Sequence, residues 1–224
     1  MTFNDALLSP VIWHEEQAIE LLAKIFEAER DAVVKTYCSI DDYPIRARLE
    51  NIGFQPKREF TERGERQQRF TCDRYDFIRA LAEAKMAEHL DMNVWQFGFD
   101  SAKRRAGLCN YSESLITVSR YLVDIHTVDE TMQVVLHEIA HALCGKEAGH
   151  TKVWLKVAKQ IGYRAERFSG KEIAEETAKW IGTCPAGHQH YRYRKPTRQL
   201  ACGLCGRGFN RANLIRWQSR SEEG

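Results

Sequence analysis

The chain has 224 residues, 43% of them hydrophobic and 29% charged, with a formal net charge of +2. That length allows one full domain and a small appendage, and that composition excludes a wholly disordered chain. No apolar run approaches the ~18–20 residues that span a bilayer, and MTFNDALLSP lacks the basic and apolar regions of a secretory signal, so a cytoplasmic protein without membrane contact is expected.

Taken in chain order, the first predicted helix covers about 15–29, where Ala18, Leu21, Leu22, Ile25 and Phe26 recur at helical spacing. Residues 55–70, crowded with charge and broken by Gly64, read as an exposed loop. Asp73 has the form of an N-cap for a second helix that runs to about Leu90 and buries Ile78, Leu81, Ala82 and Met86. NVWQFGF (93–99), the stretch near Leu108–Tyr111 and Leu115–Ser119 then predict three short strands in an antiparallel meander. Thr127-Val128-Asp129-Glu130 has the form of a capping box and opens a helix to about Cys144, stopped by Gly145. Two more helices are expected, from near Thr151 to before Gly162 and over about Lys171–Trp180.

The helix after Thr127 carries His137-Glu138-Ile139-Ala140-His141, an H-E-x-x-H pattern. At ~100° per residue the two histidines lie about 40° apart, with Glu138 about 60° beyond them. Met132, Val135, Leu136, Ile139, Ala140 and Leu143 fill the opposite arc. Two neutral imidazoles one turn apart supply two ligands for Zn²⁺, and Glu138 is placed to accept a proton from a water. His14-Glu15-Glu16-Gln17-Ala18 starts in the same way but has no second histidine. A catalytic zinc needs a third protein ligand. His150, reached through Gly145 and Gly149, is favoured over Glu166, which falls after Gly162 and outside the helix that would present it.

The last 44 residues differ from the rest. Residues 181–224 hold eight Lys/Arg against Glu222 and Glu223, whereas the remaining 180 hold 25 Lys/Arg and 29 Asp/Glu. A basic tail on a near-neutral body points to a polyanionic partner. Seven cysteines argue against a complete disulfide framework. Cys184-Pro185-Ala186-Gly187-His188 and Cys202-Gly203-Leu204-Cys205 form two close pairs suited to a closed, tetrahedral Cys₃His zinc site, with His190 the rival to His188. Between the pairs Tyr191, Arg192, Tyr193, Arg194, Lys195 and, further on, Arg198 offer aromatic rings for bases and cations for phosphates. Lys103, Arg104 and Arg105 read as a solvated turn. Cys38, Cys72 and Cys109 read as buried small apolar groups and Cys144 as packing rather than a nucleophile.

WQFGFDSAKRRAGLCNYSESLITVSRYLV, followed by LHEIAHALCG and GHTKVW, resembles the SprT family of zinc metalloproteases, which includes the Spartan-type proteases, over roughly residues 90–210. The resemblance implies that His137, His141 and His150 bind a catalytic zinc, that Glu138 is the general base, and that the activity is peptide-bond hydrolysis, in the best-known branch on proteins crosslinked to DNA. SprT-like proteins often end in a zinc ribbon, although the Cys-x-x-x-His half departs from an all-cysteine version.

The expected fold is α+β. A helical zincin-like metalloprotease core with a short antiparallel sheet covers 73–180, a zinc ribbon with a basic tail covers 181–224, and residues 1–72 form a helical and charged region that matches nothing in the family. The expected cofactors are one catalytic and one structural Zn²⁺. The expected partners are a protein substrate and single-stranded or irregular DNA. Two alternatives stand beside this reading: a nucleic-acid-binding adaptor with a silent protease-like site, and a protease for a specific protein without a DNA role.

Overall fold

The computed structural model describes residues 7–8, 15–164, 174–175 and 177–220, which divide into two units. The first comprises Met1–Asp100 and Gly107–Glu166, the second Ser101–Ala106 and Arg167–Gly224.

In the first unit, strand β1 (Leu7–Leu8) is followed by helix α1 (Glu15–Ala28), which buries Ala18, Leu22, Ile25 and Phe26 at the predicted spacing. Strand β2 (Val34–Ser39) turns Val34, Thr36 and Cys38 inward, the period-2 pattern of a half-buried strand. Asp42 caps helix α2 (Tyr43–Asn51) by accepting from the Ile45 N–H. Residues 55–70 are not a loop. They form the greater part of a hairpin of β3 (Gln55–Glu62) and β4 (Glu65–Cys72), in a sheet ordered β1-β2-β4-β3. Arg63 and Gly64 both take positive φ (50° and 86°), the conformation a two-residue hairpin turn needs. Half of the charge that suggested a loop (Lys57, Arg58, Glu59 and Glu62) lies on β3, an edge strand exposed along almost its whole length, where charge guards against further pairing. Phe70 and Cys72 of β4 meanwhile reach the core.

Asp73 and Asp76 form a reciprocal capping box at the start of helix α3 (Arg74–Ala87). The rings of Phe26 and Phe77 meet at 5.6 Å between centroids in a core that also holds Leu22, Val34, Phe54, Phe70 and Val128. The buried Arg74 guanidinium donates to the carbonyls of Phe26, Val123 and His126, so one cation satisfies three carbonyls at the C-terminal ends of two helices.

Three short strands follow, but they are not a meander. Strands β5 (Gln96–Asp100), β6 (Gly107–Asn110) and β7 (Leu115–Ser119) are ordered β5-β7-β6, with β5 parallel and β6 antiparallel to β7. β7 is the most deeply buried of the three, with Ile116, Thr117, Val118 and Ser119 all inside, so it takes the centre and a partner on each side. Helix α4 (Arg120–Ile125) leads to helix α5 (Val128–Cys144), against which helix α6 (Lys152–Gln160) packs.

The second unit holds β8 (Trp180–Thr183), β9 (Gln189–Arg192) and β10 (Arg216–Ser219), antiparallel in the order β10-β8-β9. Of the helix expected over 171–180, residues 171–173 and 176 lie outside those described; Ala174, Glu175 and Thr177 are helical, with the Ala178 N–H donating to the Ala174 carbonyl at 3.0 Å, and Trp180, its expected last residue, opens a strand instead. The fold is mixed α+β, with six α-helices and three small sheets among the described residues. None of those helices is long and apolar enough to cross a membrane.

Candidate metal centres

Helix α5 begins at a complete capping box: Thr127 Oγ1 accepts from the Glu130 N–H at 3.1 Å, and Glu130 Oε2 accepts from the Thr127 N–H at 2.9 Å. Fixing the first turn fixes the rotational phase of the later turns. Val134, Val135, Leu136, Ile139 and Ala140 face the interior, and His137 and His141 stand half-buried one turn apart. The helix stops at Gly145. Gly145 (φ 77°) and Gly149 (φ 49°) bracket a short 3-10 turn, Lys146–Ala148, and these two left-handed residues reverse the chain so that His150 returns to the helix. Thr151 then caps α6.

The three imidazoles converge on one point. His137 Nε2 lies 3.2 Å from His141 Nε2 and 2.9 Å from His150 Nε2, and the third edge is 3.0 Å. Three ring nitrogens cannot each satisfy the other two, because a neutral imidazole has one N–H and two protonated rings repel. A cation at the centre resolves the conflict: ligands ~2.0–2.1 Å from a tetrahedral zinc stand roughly 3.3–3.4 Å apart, close to the edges found. Burial, and then the neighbouring imidazoles, push the His137 pKa down to about 4, and His141 is lowered for the same reasons. Both are held in the neutral form that binds metal. Three nitrogen donors with a fourth position left over fit zinc in an open site.

Trp154 of α6, 5% exposed, packs its ring against all three imidazoles at centroid distances of 4.7, 5.3 and 4.8 Å. Tyr163 backs His137 and Trp154, each at 5.6 Å. Sequence reasoning passed over both, although Trp154 closes the GHTKVW run that carries His150. Glu138 is 8% exposed and faces strand β6. On that strand burial first, and next the Glu138 charge, push the Cys109 thiol up to about 11. Tyr111, just beyond the strand, donates its hydroxyl to the His141 carbonyl at 3.0 Å. Glu166, the rival third ligand, lies outside the described residues.

In the second unit Cys184, His188, Cys202 and Cys205 bring four donor atoms within 4.8 Å of one another. The pairs Cys184–Cys205 (3.7 Å), Cys184–His188 (3.5 Å), His188–Cys205 (3.3 Å) and Cys202–His188 (3.6 Å) match the roughly 3.5–3.8 Å edges of a tetrahedral zinc bound to sulfur and nitrogen. His190, the rival ligand, stands outside that group with its Nε2 3.2 Å from Cys202 Sγ, where it can hold a thiolate from behind. The cluster is compatible with a zinc ribbon.

The residues considered for nucleic acid also belong to the second unit. Tyr193 donates its hydroxyl to the Lys103 carbonyl at 2.8 Å, meets Thr177 Oγ1 at 3.2 Å, and carries the Lys103 ammonium over its ring at 5.5 Å. Arg192 lies over Trp217 and Lys195 over Trp180, while the Tyr191 hydroxyl donates to Gln189. Tyr191, Arg192, Tyr193 and Arg194 line a cavity of about 990 Å³ together with Lys103, Arg104 and Trp217. Lys103 and the exposed Arg104 line this cavity too, whereas Lys195 and Arg198 are not among its lining residues.

Residues 78–176, which contain the histidine triad, match the model of the SprT-like family. This stretch is SprT-like. No curated protein and no solved structure matches the chain. The SprT-like family points to a metalloprotease-type function, hence to a protein substrate, and the triad is a candidate metal-binding group of the kind that function requires.

Proposed function

We propose that the protein is a zinc-dependent endopeptidase whose active site is His137, Glu138, His141 and His150. The observation that carries this reading is the convergence of three Nε2 atoms at 2.9–3.2 Å beside a glutamate that the same helix presents. His137, His141 and His150 would hold the ion. When bound, zinc supplies a Lewis acid that acidifies a water and polarises the scissile carbonyl. Glu138 accepts the proton of the attacking water and returns it to the leaving amine. Trp154 excludes water from behind the imidazoles and keeps their rings aimed at one point.

Within this proposal residues 73–180 carry a zincin-like protease domain and 181–224 a zinc ribbon held by Cys184, His188, Cys202 and Cys205. The ribbon is basic, and its cavity combines arginines with tyrosine and tryptophan rings, a combination that supports contact with single-stranded DNA and action on DNA-bound or DNA-crosslinked proteins.

Cleavage of a labelled DNA-binding protein, with and without single-stranded DNA, tests both halves. Glu138→Gln is expected to keep its zinc and to lose activity by on the order of 10²–10⁴-fold. An active Glu138→Gln protein overturns the proposed mechanism. Cleavage that needs Glu138 but ignores DNA keeps the protease and removes the DNA role. No cleavage by zinc-loaded wild type favours a nucleic-acid-binding adaptor.

A further inference from the structure

Among the described residues seven glycines have positive φ, and Gly107, the first residue of β6, is not one of them. Its backbone would accept alanine without strain. What excludes a side chain there is space: a Cβ built on Gly107 would lie 2.8 Å from Glu138 Oε1, 2.9 Å from Glu138 Cγ and 2.8 Å from Val134 Cγ1. Contacts below 3.0 Å between such atoms are not tolerated, so something must shift. Val134, 3% exposed, has little room to yield, whereas Glu138 is the side chain whose carboxylate can swing away.

Residues 107, 109 and 111 also alternate toward α5 from one side of the chain. Gly107 meets Val134 and Glu138, Cys109 lies within the field of the Glu138 carboxylate, and Tyr111 binds the His141 carbonyl. The strand therefore runs along the metal helix over two turns and forms a wall behind its glutamate.

From this we infer that Gly107 is a positioning residue: the missing side chain on β6 is the slot that holds the Glu138 carboxylate in its working place beside the histidine triad. The inference rests on the reading of Glu138 as general base. It adds that the base is set by the opposing strand and not by its own helix alone. A misplacement of about 1 Å in a catalytic group can cost on the order of 10²-fold in rate.

The test is a double-substitution cycle on the metal-free protein, read by thermal unfolding, beside kinetics of the zinc-loaded protein. Gly107→Ala is expected to lower Tm by roughly 3–10 °C, the range for one misfitted methyl in a chain of this size. In a Glu138→Ala background the same substitution is expected to lose at least half of that penalty, because two of the three atoms it meets are gone. Gly98→Ala, on β5 at the opposite edge of the same sheet, is the control. Its Cβ would meet only Leu115 and Thr117, at 3.7 and 3.8 Å, so Tm and activity should stay at wild-type values. With zinc bound, Gly107→Ala is expected to keep KM and metal content and to lower kcat on the order of 10–100-fold.

If Gly107→Ala does not fold, Gly107→Ala/Val134→Ala removes one of the overlaps and carries the same kinetic expectation. Additive Tm penalties in the cycle, or a wild-type kcat in either alanine variant while Glu138→Gln is inactive, would overturn the positioning role and leave the general base standing. An active Glu138→Gln protein would instead remove the base, even if the Tm coupling held.

Discussion

The two candidate metal centres are built in opposite ways. The histidine triad draws two of its donors from a single buried helix and the third from the turn after it, and three donors leave a coordination position over. The Cys₃His group draws four donors from two turns of irregular chain and leaves none over. The surroundings differ as sharply. The first unit buries Phe26, Phe54, Phe70, Phe77, Ile78 and Ile139 completely or nearly so, none of them a proposed ligand. Among the described residues of the second unit the buried hydrophobic side chains are Ala178, Cys184 and Cys202, two of which are proposed ligands. One unit can fold and then offer a site; the other has almost no core apart from its site.

Metal removal breaks this comparison most directly. A chelator at neutral pH is expected to unfold the second unit and spare the first, since an apparent ~10–16 kcal/mol of zinc binding can be folding free energy in so small a module. The indole NMR signals report the two units separately: Trp180 and Trp217 lie on β8 and β10, and Trp154 on α6. Trp180 and Trp217 should collapse to unfolded positions while Trp154 stays dispersed. Cys202→Ser should reproduce the effect without chelator. Retained dispersion of Trp180 and Trp217 in metal-free protein would show that the ribbon does not depend on its ligands.

Trp154→Ala sharpens the contrast from the other side. The indole is 5% exposed and touches all three imidazoles, so its removal should cost about 3–5 kcal/mol of stability and lower the triad's zinc affinity on the order of 10–100-fold. The Cys₃His group should keep its metal. Titration with a competing chelator should then show two zinc ions of clearly separated affinity where the wild type holds both tightly. Equal weakening at both centres would mean that the indole supports the whole chain and not the triad.

How much of this was legible depended on whether the signal was local. The Thr127–Glu130 and Asp73 caps, the stop at Gly145 and the return of His150 are written within a few consecutive residues and were readable as such. The Cys-x-x-x-His and Cys-x-x-Cys pairs were readable for the same reason. The hairpin over 55–72 was not, because its edge strand is charged on both faces and its inner strand buries Gln67 and Gln68 beside Phe70, which blurs the alternation. The β5-β7-β6 order was not, because parallel pairing of β5 with β7 passes over the intervening β6 and leaves no mark on either segment. Trp154 behind the imidazoles and Gly107 against Glu138 are contacts made only in the folded chain, between elements whose spacing in sequence says nothing of their meeting.

The smallest expected effect separates the two centres by pH. Native His137 titrates at about 4, against 6.5 for an ordinary histidine, because burial and two neighbouring imidazoles penalise its charged form. Between those two pH values the unfolded chain binds more protons than the native metal-free protein, so stability must rise with pH across the window. Acidifying metal-free protein from pH 6.5 toward pH 4 should therefore lower the Tm of the first unit by roughly 2–6 °C, and the slope should flatten below the native value. Zinc at the triad should steepen the loss, since protonation then also competes with ligation. The carboxylates and His141 titrate in part of the same window, which is why the variant matters more than the curve: His137→Ala removes the His137 contribution alone. If metal-free His137→Ala shows the same slope as wild type, the depressed imidazole is not what makes the triad acid-sensitive, and the contrast between an open site that waits for its metal and a closed one that is built by it loses its electrostatic half.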